Sequence, residues 1–226
     1  MITLIFTRIH PIYVYIHVIT MGVVVLLVEI IWLGRGGQGG VTAANILVYA
    51  ALREGLYGQG FPFFGAERRG APVMAFSRIS DRPILRHGMF SEADVLVVLD
   101  PKLPLIEATR RVLVRDRGVV VVNARDDEAL DPRHYRLEGS AKFYAVDATR
   151  IALENKLVVA GWPVVNTSML GAFSRATGLV RIESVVEAIK EYFKGRIGEV
   201  NAKAALQAYN ETKLVGEVAR SVQVHG

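Results

Sequence analysis

The stretch VVVLLVEIIWLGRGGQGGVTAANILVYAALREG, residues 23–55, decides the fold of this chain. Residues 23–33 are almost all Val, Ile and Leu, which is typical of a strand buried on both faces of a parallel sheet. Residues 34–40 form a glycine-rich loop, and residues 41–55 repeat apolar side chains every three or four positions, as an amphipathic helix does. The order of strand, glycine turn and helix predicts the first unit of an α/β fold.

Further apolar runs continue the alternation of strands and helices. Strands are predicted at four more segments: residues 73–79, VLVVLDP at 95–101, GVVVVNA at 118–124 and KFYAVDAT at 142–149. A helix is expected behind residue 101, and Thr149 is expected to cap a helix at 150–155. Helical spacing returns at 163–178 and from 182 to 222. The sequence therefore predicts a three-layer α/β fold, with a Rossmann-like, mostly parallel sheet, helices on both faces and a helical C-terminal tail.

The chain length of 226 residues suits one domain, which we expect over residues 22–226. Residues 1–21 are interpreted as an uncertain N-terminal extension, because Met21 resembles a true start. An apolar run at residues 12–33 is long enough to cross a bilayer, so a membrane anchor is the open alternative. Glu29 within that run, and the glycine loop directly after it, favour a buried strand and make a membrane partner unexpected.

Composition excludes several classes of function. The chain has no cysteine, so it offers no thiolate to an iron–sulfur cluster, a zinc site or a disulfide. Its formal net charge of +5 comes from basic residues spread along the sequence, which disfavours nucleic acid as a partner. No residue is assigned to catalysis or to a metal, since four polar candidates lack metal-site spacing: His87, His134, Asp100 and Asp147.

The glycine loop is a candidate anion site. Gly34, Gly36 and Gly39 follow the G-x-G-x-x-G spacing between a strand and a helix, where backbone N–H groups can point at a phosphate. A nicotinamide enzyme would need an acidic residue after the second strand, whereas Glu54 lies at the end of the first helix. The phosphate-binding loop of an NTPase has Lys and then Ser or Thr after its last glycine, whereas Gly40 and Val41 follow Gly39 here, which disfavours ATP hydrolysis. The alternative is that the glycines only permit a tight turn and close packing of the helix.

A second candidate is the segment FPFFGAERRGAPV at residues 61–73, which places Glu67, Arg68 and Arg69 between glycines and aromatic residues. A guanidinium group suits phosphate or carboxylate recognition, because its planar donors bind two oxygens at once. The alternative is an ion pair between Glu67 and an arginine that stabilises the loop or a subunit contact. The aromatic residues of this segment are expected in the core or at an interface: Phe61, Phe63 and Phe64.

Four motifs in one order make the sequence resemble a known family. They are GRGGQGG with VTAANIL, QGFPFFGAERRGAPVMAFSRISDRPI, VLVVLDP and PVVNTSMLGAFSRATG. Together they resemble the gamma subunits of pyruvate and related 2-oxoacid:ferredoxin oxidoreductases, over residues 29–189. The FFGAERRGAPV motif is most similar to the pyruvate or branched-chain type, with pyruvate as the first choice. Departures lie at Gly40, at residues 155–161 and in the N-terminal run.

This resemblance implies a cytoplasmic complex in which a 2-oxoacid, coenzyme A (CoA) and oxidised ferredoxin become acyl-CoA, carbon dioxide and reduced ferredoxin. Alpha-, beta- and delta-type subunits would hold thiamine diphosphate, Mg²⁺ and the iron–sulfur clusters, and ferredoxin would meet the complex rather than this chain alone. The gamma-type chain would bind no cofactor by itself and would contribute to assembly and to the positioning of CoA.

The expected contacts to CoA combine the resemblance with the chemistry of the two candidate segments. Backbone amides at 36–39 would bind an anion, and Arg68 or Arg69 would hold CoA phosphates or the neighbouring subunit. Asn166 and Thr167 are either a helix cap or a contact to the same region. The candidate residues are Gly34, Arg35, Gly36, Gly37, Gln38, Gly39, Glu67, Arg68, Arg69, Asn166 and Thr167. Two rival functions remain, a purely structural docking subunit and a stand-alone nucleotide-binding oxidoreductase.

Overall fold

The computed structural model describes residues 26–62, 70–106, 111–125 and 131–218. The predicted extension at residues 1–21 and the segment containing Glu67, Arg68 and Arg69 lie outside these ranges, as do Phe63 and Phe64. What was expected of those residues stays a prediction.

Strands and helices alternate along the described chain. The helices are α1 (Gly40–Leu52), α2 (Ala148–Glu154), α3 (Asn166–Thr177), α4 (Ile182–Phe193) and α5 (Gly195–Glu211). The strands are β1 (Leu27–Arg35), β2 (Tyr57–Pro62), β3 (Pro72–Ser80), β4 (Glu92–Val98), β5 (Leu113–Asn123), β6 (Arg136–Leu137), β7 (Ala141–Val146), β8 (Val158–Val159), β9 (Trp162–Pro163) and β10 (Lys213–Val218).

One mixed sheet forms the centre of the fold, in the order β10, β7, β5, β4, β1, β3 and β2, with β6 beside β5. Strands β1, β4, β5 and β7 are parallel neighbours, whereas β2, β3 and β10 run antiparallel to theirs. Strands β8 and β9 form a separate short hairpin. The predicted mostly parallel α/β architecture is confirmed.

The central strands are stable because their apolar side chains are buried on both faces. Ile31 of β1 lies beside Leu96 of β4, which lies beside Val120 of β5, and each is at most 3% exposed. Fully burying one such side chain contributes about 1.5–3 kcal/mol. The Val- and Ile-rich runs in the sequence therefore become the middle of the sheet.

All five described helices pack on one face of the sheet, in the cluster that contains Ile30, Trp32 and Val121. The opposite face carries Phe76 and Leu103, and the described ranges contribute no α-helix to it. The helix expected behind residue 101 is a single 3-10 turn at Leu103–Leu105 within the described part of the chain. The second helical layer is thus not found within these ranges. None of the described helices is long and apolar enough to cross a membrane.

Two local predictions are wrong. Residues 213–218 form an edge strand antiparallel to β7 instead of continuing the helical tail, since the backbone turns extended at Thr212. Thr149 does not cap α2; the side chain of Asp147 accepts the N–H of Arg150 at 2.8 Å. Thr149 is instead held by Asn123, whose side-chain amide donates to its hydroxyl at 2.9 Å. The predicted end of α3 near residue 178 is confirmed.

Glu29 is buried in the sheet as one member of an ion cluster. Its carboxylate accepts hydrogen bonds from Arg78 at 2.8 Å and from Arg115 at 2.7 Å, and its exposure is 4%. Burial acts to raise the pKa of Glu29, but the hydrogen bonds and charges of Arg115 and Arg78 outweigh it and hold the pKa below its usual value. The acidic residue inside the apolar run is therefore compensated within a strand.

Candidate functional site

The glycine loop lies where the strand order of the sheet reverses. Strands β3 and β2 lie on one side of β1 in the sheet, and β4, β5 and β7 lie on its other side. In open α/β sheets, ligands usually bind in the crevice outside the carboxyl ends of the strands at such a point. The loop at residues 36–39 occupies this position and leads directly into α1.

Two of the loop amides are used by the fold itself. The N–H of Gly36 donates to the carbonyl of Ala71 at 2.9 Å, and the N–H of Gln38 donates to the carbonyl of Arg35 at 3.0 Å. The N–H groups of Gly37 and Gly39 have no acceptor within the described ranges. The predicted row of anion-binding amides is thereby reduced to alternate positions.

The two polar side chains of the loop point back at the sheet. Gln38 accepts the N–H of Arg35 at 2.7 Å through Oε1, and its Nε2 faces the carbonyl of Leu99 at 3.5 Å. Arg35 donates to the carboxylate of Asp100 at 2.5 Å and to the carbonyl of Gly70 at 3.1 Å. These contacts fix the loop to the end of β4 and to residue 70, and a ligand contact of either side chain stays a prediction.

Two glycines of the loop have backbone conformations that side chains rarely adopt. The φ angle is 100° at Gly37 and 82° at Gly39. A Cβ atom at Gly39 would lie 2.6 Å from Nδ2 of Asn166, whereas one at Gly37 would have no atom within 4 Å. Gly39 is therefore required both by the turn and by the approach of Asn166.

Asn166 brings α3 to the glycine loop. It is 2% exposed, and its Oδ1 accepts the N–H of Thr167 at 2.8 Å, so it satisfies one N–H of the first turn. Its Nδ2 lies against Gly39 and has no acceptor within the described ranges. Thr167 does not face the loop; its hydroxyl bonds to Oδ1 of Asn201 at 2.9 Å and fastens α3 to α5. Asn166 is thus both a first-turn acceptor and a neighbour of the loop.

A cleft of about 610 Å³ opens beside the loop, a volume typical of sites for small molecules. It lies between the start of α1, the β8–β9 hairpin and the junction of α4 and α5. Its polar lining is Gly37, Gly39, Thr42, Asn155, Lys156, Asn166, Arg196 and Asn201. Its apolar lining is Leu157, Val158, Val159, Val164, Phe193, Ile197 and Val200.

The structure brings together only part of the predicted set. Gly37, Gly39 and Asn166 meet at the cleft, while Gly34 is buried within β1. Phe61 stacks on Phe76 with ring centroids 5.3 Å apart, as expected of a core aromatic. Lys156 and Arg196 were missed, and the only sequence signal near either was the departure from the family pattern at residues 155–161.

The cleft can bind an anion that carries an apolar portion. Unpartnered amide donors favour a phosphate or carboxylate oxygen, and the aliphatic lining favours a carbon chain. Within the described ranges no group of three or more His, Cys, Asp or Glu is placed to hold a metal ion. The chemistry offered by these residues is recognition and positioning.

Comparison with known proteins assigns the family. A sequence model of the family "Pyruvate ferredoxin/flavodoxin oxidoreductase" matches residues 29–211. The chain is 52% identical over 189 residues to the pyruvate/ketoisovalerate oxidoreductases common subunit gamma of Thermococcus kodakarensis, covering 82% of this chain and 97% of that protein. It is 50% identical to the pyruvate synthase subunit PorC of Methanothermobacter thermautotrophicus over 82% of this chain and 96% of that protein.

A solved structure agrees with these relatives. The crystal structure of the pyruvate oxidoreductase subunit PORC from Thermotoga maritima superposes with a TM-score of 0.67 at 35% identity. The match covers 83% of this chain and 97% of that one. Sequence and fold thus agree over nearly the whole length of each relative. The chain therefore belongs to the pyruvate ferredoxin/flavodoxin oxidoreductase family, among whose members it corresponds to the gamma subunit of a multi-subunit oxidoreductase.

Proposed function

We propose that this gamma subunit serves a pyruvate-type complex and positions CoA within it. Pyruvate, CoA and oxidised ferredoxin would become acetyl-CoA, carbon dioxide and reduced ferredoxin in the cytoplasm. Support for pyruvate comes from the names of the relatives and from the FFGAERRGAPV motif. Support for the CoA role comes from the donors that line the cleft.

The single observation that carries the CoA role is a set of hydrogen-bond donors that have no acceptor among the residues the structure describes. The N–H groups of Gly37 and Gly39 and the side-chain amide of Asn166 all border the same cleft. They stand before the N-terminus of α1, a helix of 13 residues whose dipole favours negative charge there. A phosphate of CoA would supply the missing acceptor oxygens.

The redox chemistry would belong to other chains of the complex. Thiamine diphosphate with Mg²⁺, and the iron–sulfur clusters, would be held by alpha-, beta- and delta-type subunits; for the clusters this agrees with the absence of cysteine from this chain. Ferredoxin would take its electrons from those clusters. Arg68 and Arg69 stay predicted contacts to CoA phosphates or to a neighbouring subunit.

Replacing Asn166 with aspartate tests the CoA role. Asn166→Asp keeps the shape of the side chain and the acceptor for the N–H of Thr167, but removes the free donor and adds a negative charge. In the reconstituted complex we expect the KM for CoA to rise about 10- to 100-fold, as losing a charge-assisted hydrogen bond and adding repulsion predict. Asn210→Asp, the same chemical change at an exposed site on α5, is the matched control. An unchanged KM in the assembled Asn166→Asp complex would remove the proposal.

A purely structural docking subunit is the alternative with an observation in its favour. Val159 of β8 is 64% exposed and Trp162 of β9 is 44% exposed, so the hairpin presents apolar side chains suited to a partner subunit. Under this alternative, Asn166→Asp would disturb assembly and leave the KM for CoA unchanged. The stand-alone nucleotide-binding enzyme would instead bind NAD or a flavin as an isolated chain, which calorimetry measures directly.

A further inference from the structure

Two cations line the cleft. Lys156 lies between α2 and β8, and Arg196 lies in the first turn of α5. Both side chains are exposed, and neither makes a hydrogen bond or an ion pair within the described ranges. Arg150, on the helix just before Lys156, is by contrast paired with Glu154 at 2.7 Å. Lys156 and Arg196 are therefore the two cations that line the cleft.

The backbone at Lys156 is unusual for a lysine. Its φ angle is 56°, in the left-handed region that favours glycine. Its N–H donates to the carbonyl of Leu153 at 3.0 Å, and the N–H of Leu157 donates to that of Ala152 at 2.8 Å, which is the pattern of a helix end where glycine is common. Glycine adopts this conformation with less strain, so the turn itself does not require a lysine at this position.

Aliphatic and aromatic side chains share the cleft with these cations and with the loop donors. Val158 and Val164 belong to the hairpin region, and Phe193, Ile197 and Val200 to α4 and α5. The lining therefore combines a group of uncharged hydrogen-bond donors, a pair of cations and an apolar surface. Its chemistry matches a ligand with two separate anionic groups and an apolar portion.

We infer that Lys156 and Arg196 form a second phosphate subsite that selects CoA by its 3′-phosphate. The inference rests on the proposed function, in which the glycine loop and Asn166 hold another phosphate of the same molecule. Lysine and arginine are the usual partners of a phosphate monoester, since both supply several charged N–H donors. The two cations come from different elements, so the subsite exists only in the folded chain.

Comparing CoA with 3′-dephospho-CoA in the reconstituted complex tests this subsite. The test variant is Lys156→Gln with Arg196→Gln, and its matched control is Lys203→Gln with Arg86→Gln, which removes the same charges from exposed residues outside the cleft. We expect the double variant to raise the KM for CoA about 10-fold, while the KM for 3′-dephospho-CoA changes less than about 2-fold, as two exposed charge-assisted contacts to one phosphate predict. The control should retain the wild-type preference for CoA.

The outcomes separate this inference from the proposed function. An equal rise for both substrates, no change for either, or loss of assembly in the double variant would overturn the second subsite. If Asn166→Asp still raises the KM for both substrates, the proposed CoA role survives that result. If Asn166→Asp leaves the KM for CoA unchanged, the proposed CoA role fails and the second subsite fails with it.

Discussion

Replacing Gly39 with alanine should destabilise the chain more than the same change at Gly37. Both glycines have positive φ angles, 82° and 100°, so each alanine would suffer similar backbone strain. Only at Gly39 would the new Cβ meet another residue, at 2.6 Å from Nδ2 of Asn166. The pair therefore separates the strain of the turn from the contact between loop and α3.

The expected magnitudes follow from these two terms. Left-handed backbone costs an alanine about 1–2 kcal/mol relative to glycine, which is the whole expected loss of unfolding free energy for Gly37→Ala. Forcing an extra methyl group into a packed site adds about 1–3 kcal/mol, so Gly39→Ala should lose about 2–5 kcal/mol. Asn166 must also shift, which should raise the KM for CoA in the Gly39→Ala complex.

Urea unfolding of the purified variants, followed by circular dichroism, measures these differences from the transition midpoints. The Gly37→Ala variant is the control, since it shares the strain without the clash. Equal losses in the two variants would refute the close approach of Asn166 to the loop. If Gly39→Ala lowered the free energy of unfolding less than Gly37→Ala does, the clash with Asn166 would not add to the backbone strain.

Two further predictions concern the stability of the scaffold. The folded-state pKa of Glu29 is lowered, so the ionised carboxylate stabilises the folded chain above the unfolded pKa of about 4.3, and this stabilisation is lost as pH falls through the folded pKa. Glu29→Gln should therefore weaken the dependence of the unfolding free energy on pH, measured by urea titrations at pH 3–7. The variant should also cost about 3–5 kcal/mol, because it leaves the buried Arg78 with less compensation. An unaltered acid limb in that variant would contradict the ion cluster. Asp147→Ala should cost about 1 kcal/mol by removing the side-chain cap of α2, measured by thermal unfolding, whereas Asp147→Asn, which keeps an acceptor for the N–H of Arg150, should cost less.

The sequence predicts those parts of the fold that depend on local pattern. Residues 27–33 and residues 118–123 lie in buried parallel strands, because continuous Val and Ile suit strands that are buried on both faces. Gly178 ends α3 in the left-handed conformation, at the place where a glycine signals a helix end. Strand β10 escaped prediction, because its pairing partner β7 lies far away in the sequence.

Much of the candidate site could not be predicted from the sequence. The direction of a polar side chain on a loop cannot be predicted from the neighbouring sequence. The side chains of Arg35 and Gln38 point towards Asp100 and Leu99 at the end of β4. Lys156 and Arg196 reach the cleft only through the packing of the hairpin and α5 against the loop. Such meetings of distant segments follow from tertiary packing, which periodicity does not encode.

The most direct measurement is a structure of the assembled complex with CoA bound. We expect a phosphate of CoA within about 3 Å of the N–H groups of Gly37 and Gly39 and of Nδ2 of Asn166. CoA bound away from this cleft, with those three donors satisfied by a side chain of a neighbouring subunit, would contradict it.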